Sequence, residues 1–244
     1  VSVSDKMAVK WNITREEADA YACRSQERLA AAYKNGITGD EIIPIAIPAT
    51  RKTPEVIVDK DEFPRPGTTL EALAKLRAVN RDGVTTAGNA SGRNDGAAFL
   101  LVMTAEKAKE YGYTPMAKWI GGAHYGVQED YMGIGPAYSN LKALKQLGMS
   151  VDDIDVVECN EAFAAQNLSV IREMEDQSGK KIDMERWNPN GGAIAIGHPN
   201  GASGARISMF CMKQLEKTGG RYGIISSCCG GGLGTTAIIE NLRR

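Results

Sequence analysis

The chain has 244 residues, 43% hydrophobic and 24% charged, enough to bury a core as one large or two small globular domains. Its 29 basic and 30 acidic residues give a formal net charge of -1 with no long run of either sign, so the electrostatic footprint of a nucleic-acid binder is missing and an anionic ligand must be held locally. No run of about 18 apolar residues and no charged-apolar-small leader occurs, which argues against membrane insertion and secretion and makes the cytoplasm the expected compartment.

The sequence opens Val1-Ser2-Val3 without an initiator methionine and enters a helical pattern at once, so its start reads as an interior cut with more chain expected upstream. Residues 13 to 35 form an amphipathic helix, with Thr14 as N-cap, Glu16 and Glu17 in the first turn and Asn35-Gly36 as the stop. Three short β-like runs follow (Ile42-Ile43, Ile45 to Ile47, Val56 to Val58), and Pro44, Pro48 and Pro54 among them suit edges and loops. After the Pro64-Arg65-Pro66-Gly67 turn, Thr69 to Ala78 returns to helical spacing through Leu70, Leu73 and Leu76. Thr86 to Gly96 is a polar, glycine-rich bend, and the apolar run from Ala97 to Met103 reads as a buried helix turn or strand.

Residues 137 to 147 are a helix ended by Gly148, and Ile154 to Glu158 is a strand that delivers Cys159-Asn160. A helix from about Glu161 to Glu175 comes next, then one from Ser203 to Lys217 stopped by Gly219-Gly220. The strands Tyr222 to Ser227 and Thr235 to Glu240 close the chain. Alternating strands and helices imply a layered α/β fold whose sheet is covered on both faces, with functional residues at strand ends.

Three motifs concentrate the chemistry. His198, one of two histidines, lies among small residues in Asn188-Pro189-Asn190-Gly191-Gly192 to Arg206, between Gly197 and Pro199. Cys228 and Cys229 enter the glycine turn Gly230-Gly231-Gly232, and Asn160-Glu161-Ala162-Phe163-Ala164 follows a strand. The five cysteines show no short paired spacing of the zinc-site kind, so no metal is expected, and Cys23 and Cys211 read as small buried hydrophobes. His124, in Gly121-Gly122-Ala123-His124, reads as a loop residue.

In order and spacing these motifs resemble those of the thiolases, the C-terminal portion of that family only, and that likeness covers essentially the whole chain. The resemblance implies a thiolase-like layered α/β/α/β/α fold, here incomplete. Residues 1–93 would be the rear part of the CoA-binding loop domain, 94–115 the last segment of the N-terminal domain and 116–244 the C-terminal domain. It implies reversible Claisen condensation of two acetyl-CoA to acetoacetyl-CoA and CoA. The alternatives are a thiolase for longer 3-ketoacyl chains and a non-catalytic CoA-binding or assembly subunit.

Coenzyme A thioesters are then substrates and no separate cofactor is needed. The expected partners are the missing N-terminal half and further copies in a dimer or tetramer. By resemblance Cys228 is the acid or base at the substrate α-carbon, while His198, Gly230 and a water fixed by Asn160 stabilise oxyanions. Arg65 would meet the CoA nucleotide and Leu76 its apolar wall, Ala87 and Ser91 would touch pantetheine, and Met132 and Phe163 would wall the acyl pocket. The family's nucleophilic cysteine has no match in this sequence, and Cys229 stands where the family usually has an aliphatic residue.

The residue types make chemical sense without the family. Forming a carbon–carbon bond beside a thioester carbonyl needs a base for a weakly acidic α-proton and donors for the enolate oxygen that develops. A cysteine, an imidazole, a side-chain amide and a glycine-turn N–H supply these.

Overall fold

A computed structural model describes all residues from Val1 to Arg244. Two helices open the chain, α1 (Ser2–Lys10) and α2 (Arg15–Lys34). Thr14 caps α2 as its sequence foretells: its hydroxyl accepts from Glu17 N at 3.2 Å while the Glu17 carboxylate accepts from Thr14 N at 2.8 Å. The strands β1 (Ile45–Ile47) and β2 (Val56–Val58) form a separate antiparallel hairpin bounded by the prolines. The helical spacing through Leu70 yields only the short α3 (Leu70–Ala74), of whose leucines Leu73 alone is buried.

The second half supplies α4 (Ala105–Glu110), β3 (Ala117–Gly126), α5 (Gly135–Gln146), β4 (Val156–Cys159), α6 (Ala164–Ser178), α7 (Ala193–Ile196), α8 (Ser203–Thr218), β5 (Tyr222–Cys229) and β6 (Leu233–Asn241). The main sheet has four strands in the order β3-β6-β5-β4, with β4 parallel to β5 and the other pairs antiparallel. One face carries α5, over which lie α6, α1 and α2, and the core there is built from Ile224, Ile238, Val157, Leu144, Val170, Met174 and the fully buried Trp187. Successive strand residues face opposite sides. Val156, Ile225 and Ile239 therefore meet Ile207, Cys211 and Leu215 of α8 on the other face.

Three expectations change. The second face is covered over β4, β5 and β6 at Ile239 but not over the edge strand β3, whose Trp119, the partner of Ile239, is 70% exposed. The run from Ala97 to Met103 is neither helix nor buried strand. It makes no backbone hydrogen bond, and Phe99 and Val102 are more than 80% exposed, because no strand of this chain lies alongside to satisfy its peptide groups. His124 is not in a loop but on the edge strand β3, opposite Thr235.

Candidate active site

Parallel pairing decides where the site lies. Because β4 and β5 run the same way, Cys159↔Ser226 is in register and the two strands end on one edge of the sheet. Asn160 leaves β4 there, and Cys228 stands two residues beyond Ser226 on the same face. Cys229 turns to the opposite face, so the adjacent cysteines are not interchangeable. Gly230 to Gly232 make the turn into β6; the Gly230 N–H lies outside the ladder and donates to no protein acceptor. Antiparallel β3 also ends at this edge, and the Glu129–Ile134 3-10 turn that follows brings half-buried Met132 beside the starts of α5 and β6.

Asn160 is 2% exposed, yet neither its Oδ1 nor its Nδ2 meets a protein partner. Its backbone is fixed by donation to Ser226 O at 2.9 Å. A buried amide with both polar ends unsatisfied is costly unless something small binds there, which is what a water-holding or substrate-holding group requires. Glu161 points away into the protein. It accepts from Ser25 Oγ at 2.6 Å, Asn188 Nδ2 at 3.1 Å and Ile194 N at 3.2 Å, tying the segment before His198 to the end of β4.

The glycine-rich bend joins the pieces. Ala90 bridges to Phe163, Ser91 N donates to Ala162 O at 3.0 Å, and Arg93 bridges in parallel to His198. His198 N donates to Gly92 O at 3.1 Å, and its ring Nδ1 lies 2.6 Å from Ser203 Oγ. Ser91 and Phe163 are thus neighbours on the path from Asn160 to His198. The sequence did not point to Ser203; its one visible signal was a hydroxyl residue five positions after the histidine.

Burial pushes the Cys228 thiol up to about 11, with the neighbouring Cys229 adding to the rise. Burial, assisted by the Arg206 charge, lowers the His198 pKa from its ordinary range. Both groups therefore rest neutral near pH 7. His198 acts there as a hydrogen-bonding dipole and not as a cation that draws out a thiolate. Cys228 is a poor thiolate at rest and a strong base once formed. Cys159, one residue before Asn160, is buried and its thiol is also pushed up, mainly by burial.

The residues expected to meet CoA line an outer surface. Arg65, Leu76 and Ala87 are exposed. Gly88, beside Ala87, packs on Leu73 and Leu76, while the Arg65 guanidinium lies 5.9 Å from the Phe63 ring, itself against Gly92. Leu76 and Arg65 thus flank the bend that carries Ala87 and Ser91.

The family model for the thiolase C-terminal domain matches residues 113–241, and that for the thiolase N-terminal domain matches residues 2–106. A likeness confined to the C-terminal portion is therefore too narrow. Beta-ketoadipyl-CoA thiolase of Pseudomonas putida is 48% identical over 98% of this chain and 58% of its own length. Acetyl-CoA acetyltransferase of Thiocystis violacea is 47% identical over 98% and 59%. Among solved structures, the Bacillus anthracis acetyl-CoA acetyltransferase superposes with a TM-score of 0.92 at 43% identity, covering 99% of this chain and 59% of that one. Human mitochondrial 3-ketoacyl-CoA thiolase gives 0.87 at 41%, covering 98% and 59%. The chain spans about three fifths of the length of these relatives.

Proposed function

The chain belongs to the thiolase family, and we propose that it forms part of an acyltransferase that joins two acetyl-CoA into acetoacetyl-CoA and CoA, and reverses that reaction. The observation that carries this reading is the shared edge of β4 and β5, where Cys228 ends one strand and the unsatisfied amide of Asn160 follows the other, with the bend that holds His198 attached at Ala162 and Phe163. When the outside cysteine takes the first acetyl group, Cys228 gives its proton to the CoA thiolate that leaves; in the condensation the resulting Cys228 thiolate removes a proton from the methyl group of the second acetyl thioester. The enolate oxygen receives hydrogen bonds from His198 and from a water held by Asn160. The enolate carbon attacks the acyl carbonyl on a cysteine outside these 244 residues, and the Gly230 N–H donates to the oxygen that becomes anionic there. That cysteine leaves as thiolate.

CoA in this reading lies along the bend, its nucleotide toward Arg65, its pantetheine arm against Ala87 and Ser91 beside Leu76, and its acyl end between Met132 and Phe163. A second reading, a larger 3-ketoacyl group, is supported by the 48% identity to the beta-ketoadipyl-CoA thiolase, beside 47% to the acetyl-CoA acetyltransferase. Specificity constants for thiolysis of acetoacetyl-CoA and a ten-carbon 3-ketoacyl-CoA, measured on a longer protein that carries this sequence, test both. Preference for acetoacetyl-CoA supports the first reading, equal constants overturn its short-chain element, and no thiolysis of either substrate leaves a CoA-binding subunit.

A further inference from the structure

The ring of His198 has two faces to its chemistry, and only one is explained by the site. Its Nδ1 is 2.6 Å from Ser203 Oγ, the first residue of α8. We infer that Ser203 is a positioning residue: its hydroxyl donates to Nδ1 of His198 and so fixes the neutral ring as the tautomer that carries its proton on Nε2. This rests on the reading of His198 as an oxyanion donor, since that tautomer alone offers an N–H on the side away from Ser203.

The direction of the bond follows from counting acceptors. Ser203 Oγ has one proton and two neighbours that could take it, Nδ1 at 2.6 Å and Pro199 O at 3.2 Å. Pro199 O already accepts from Ala202 N at 3.1 Å and from Ser203 N at 3.2 Å, which uses both lone pairs of a carbonyl. The hydroxyl proton therefore goes to the nearer, otherwise unpaired ring nitrogen. Ser203 is 5% exposed, so water does not compete for it. The backbone of His198 is pinned to Gly92 O and, at 3.3 Å, to Asn94 Oδ1, which leaves the ring little freedom beyond its own torsions. With the ring held neutral by burial and by Arg206, the single proton has to be on one nitrogen or the other, and Ser203 selects which.

The test is the nitrogen-15 spectrum of the histidine rings in the 244-residue chain at pH 7.5. Only two histidines are present, and a His124→Gln variant on the exposed edge strand assigns the signals. The expected result is a pyridine-type Nδ1 and a pyrrole-type Nε2 at His198, a mixture of tautomers in Ser203→Ala, and return to the single tautomer in Ser203→Thr. A wild-type ring protonated at Nδ1, or a Ser203→Ala spectrum identical to wild type, overturns the inference; the wild-type spectrum decides even if the alanine variant fails to fold. In a longer, active protein Ser203→Ala should lower kcat about 10-fold to 100-fold with KM little changed. If the tautomer shifts and turnover does not, the role of Ser203 stands and it is the oxyanion reading of His198 that falls.

Discussion

Gly197 lies so close to Asn94 that a β-carbon at position 197 would sit 2.3 Å from Asn94 Oδ1. The same oxygen accepts from His198 N, and Gly197 has a φ of +98°, a backbone region that residues with a side chain resist. Histidine placement and glycine requirement are thus one feature. Gly197→Ala should cost about 1–3 kcal/mol of stability through strain and displacement of Asn94. In contrast, Gly204→Ala, in helix α8 with nothing within 4 Å of the added carbon, should be neutral or stabilising by about 0.5–1 kcal/mol. Urea unfolding of both variants checks this, and equal midpoints would show that the Asn94 contact imposes nothing.

Cys228 and Cys229 should separate chemically as they do geometrically. With its thiol pushed up to about 11, Cys228 should react with iodoacetamide slowly at pH 8 and about tenfold faster for each unit of pH until the thiolate dominates. A Cys229→Ser background followed by mass spectrometry isolates that curve. In a longer protein that turns over, Cys228→Ala should lower the rate by about two to four orders of magnitude by removing the acid–base group, while Cys229→Ala is mild. An exchange of these effects would move the acid–base role to the other face of β5.

Glu41 gives a pH-dependent stability with a definite sign. Burial pushes its carboxyl up to about 7 despite the Arg206 charge and Lys213 Nζ, which lies 3.5 Å from its Oε1 without making a hydrogen bond. A folded-state pKa above the unfolded value means that the protonated acid contributes stability below about pH 4.5, lost as pH rises through 7. Glu41→Gln should therefore raise stability by about 1–3 kcal/mol at pH 8 and change it little at pH 5. Thermal melts at the two values decide it, and a gain at pH 5 alone would reverse the sign.

Much of this arrangement is legible in the sequence because local signals and global fold agree. The Thr14 to Glu17 capping box, the buried stripe Ile207, Cys211 and Leu215, and the strand runs around Val156 and Ile224 each follow from period and caps. Strand β3 is hidden by Gly121-Gly122, which reads as a turn. In the sheet, Gly122 is small because a β-carbon there would lie 2.4 Å from Thr236 O on β6. The run from Ala97 to Met103 misleads in the opposite sense: its apolar pattern is that of a strand, but a strand exists only with a neighbour. Asn160 stands out by motif, whereas its unsatisfied amide and the bond from Ser203 to His198 depend on tertiary placement that no spacing encodes.

His198 should matter in both chemical halves. The ring is neutral near pH 7 because burial and Arg206 lower its pKa, and held by Ser203 it offers one directed donor. Such a donor can polarise a thioester carbonyl during acyl transfer and an enolate oxygen during condensation, provided the same oxyanion position serves both. His198→Asn keeps a side-chain N–H but shortens its reach and loses the hydroxyl contact at 2.6 Å that aims it. Both acylation and carbon–carbon bond formation should then slow by about a hundredfold or more, the scale of losing an oxyanion donor. CoA affinity should change little, because Arg65, Leu76 and Ala87 lie along the outer bend and not at the ring. Stopped-flow acylation and steady-state condensation in a longer, active protein separate the two halves. Acylation at wild-type speed with only condensation impaired would confine His198 to the enolate and leave the first oxyanion to other donors.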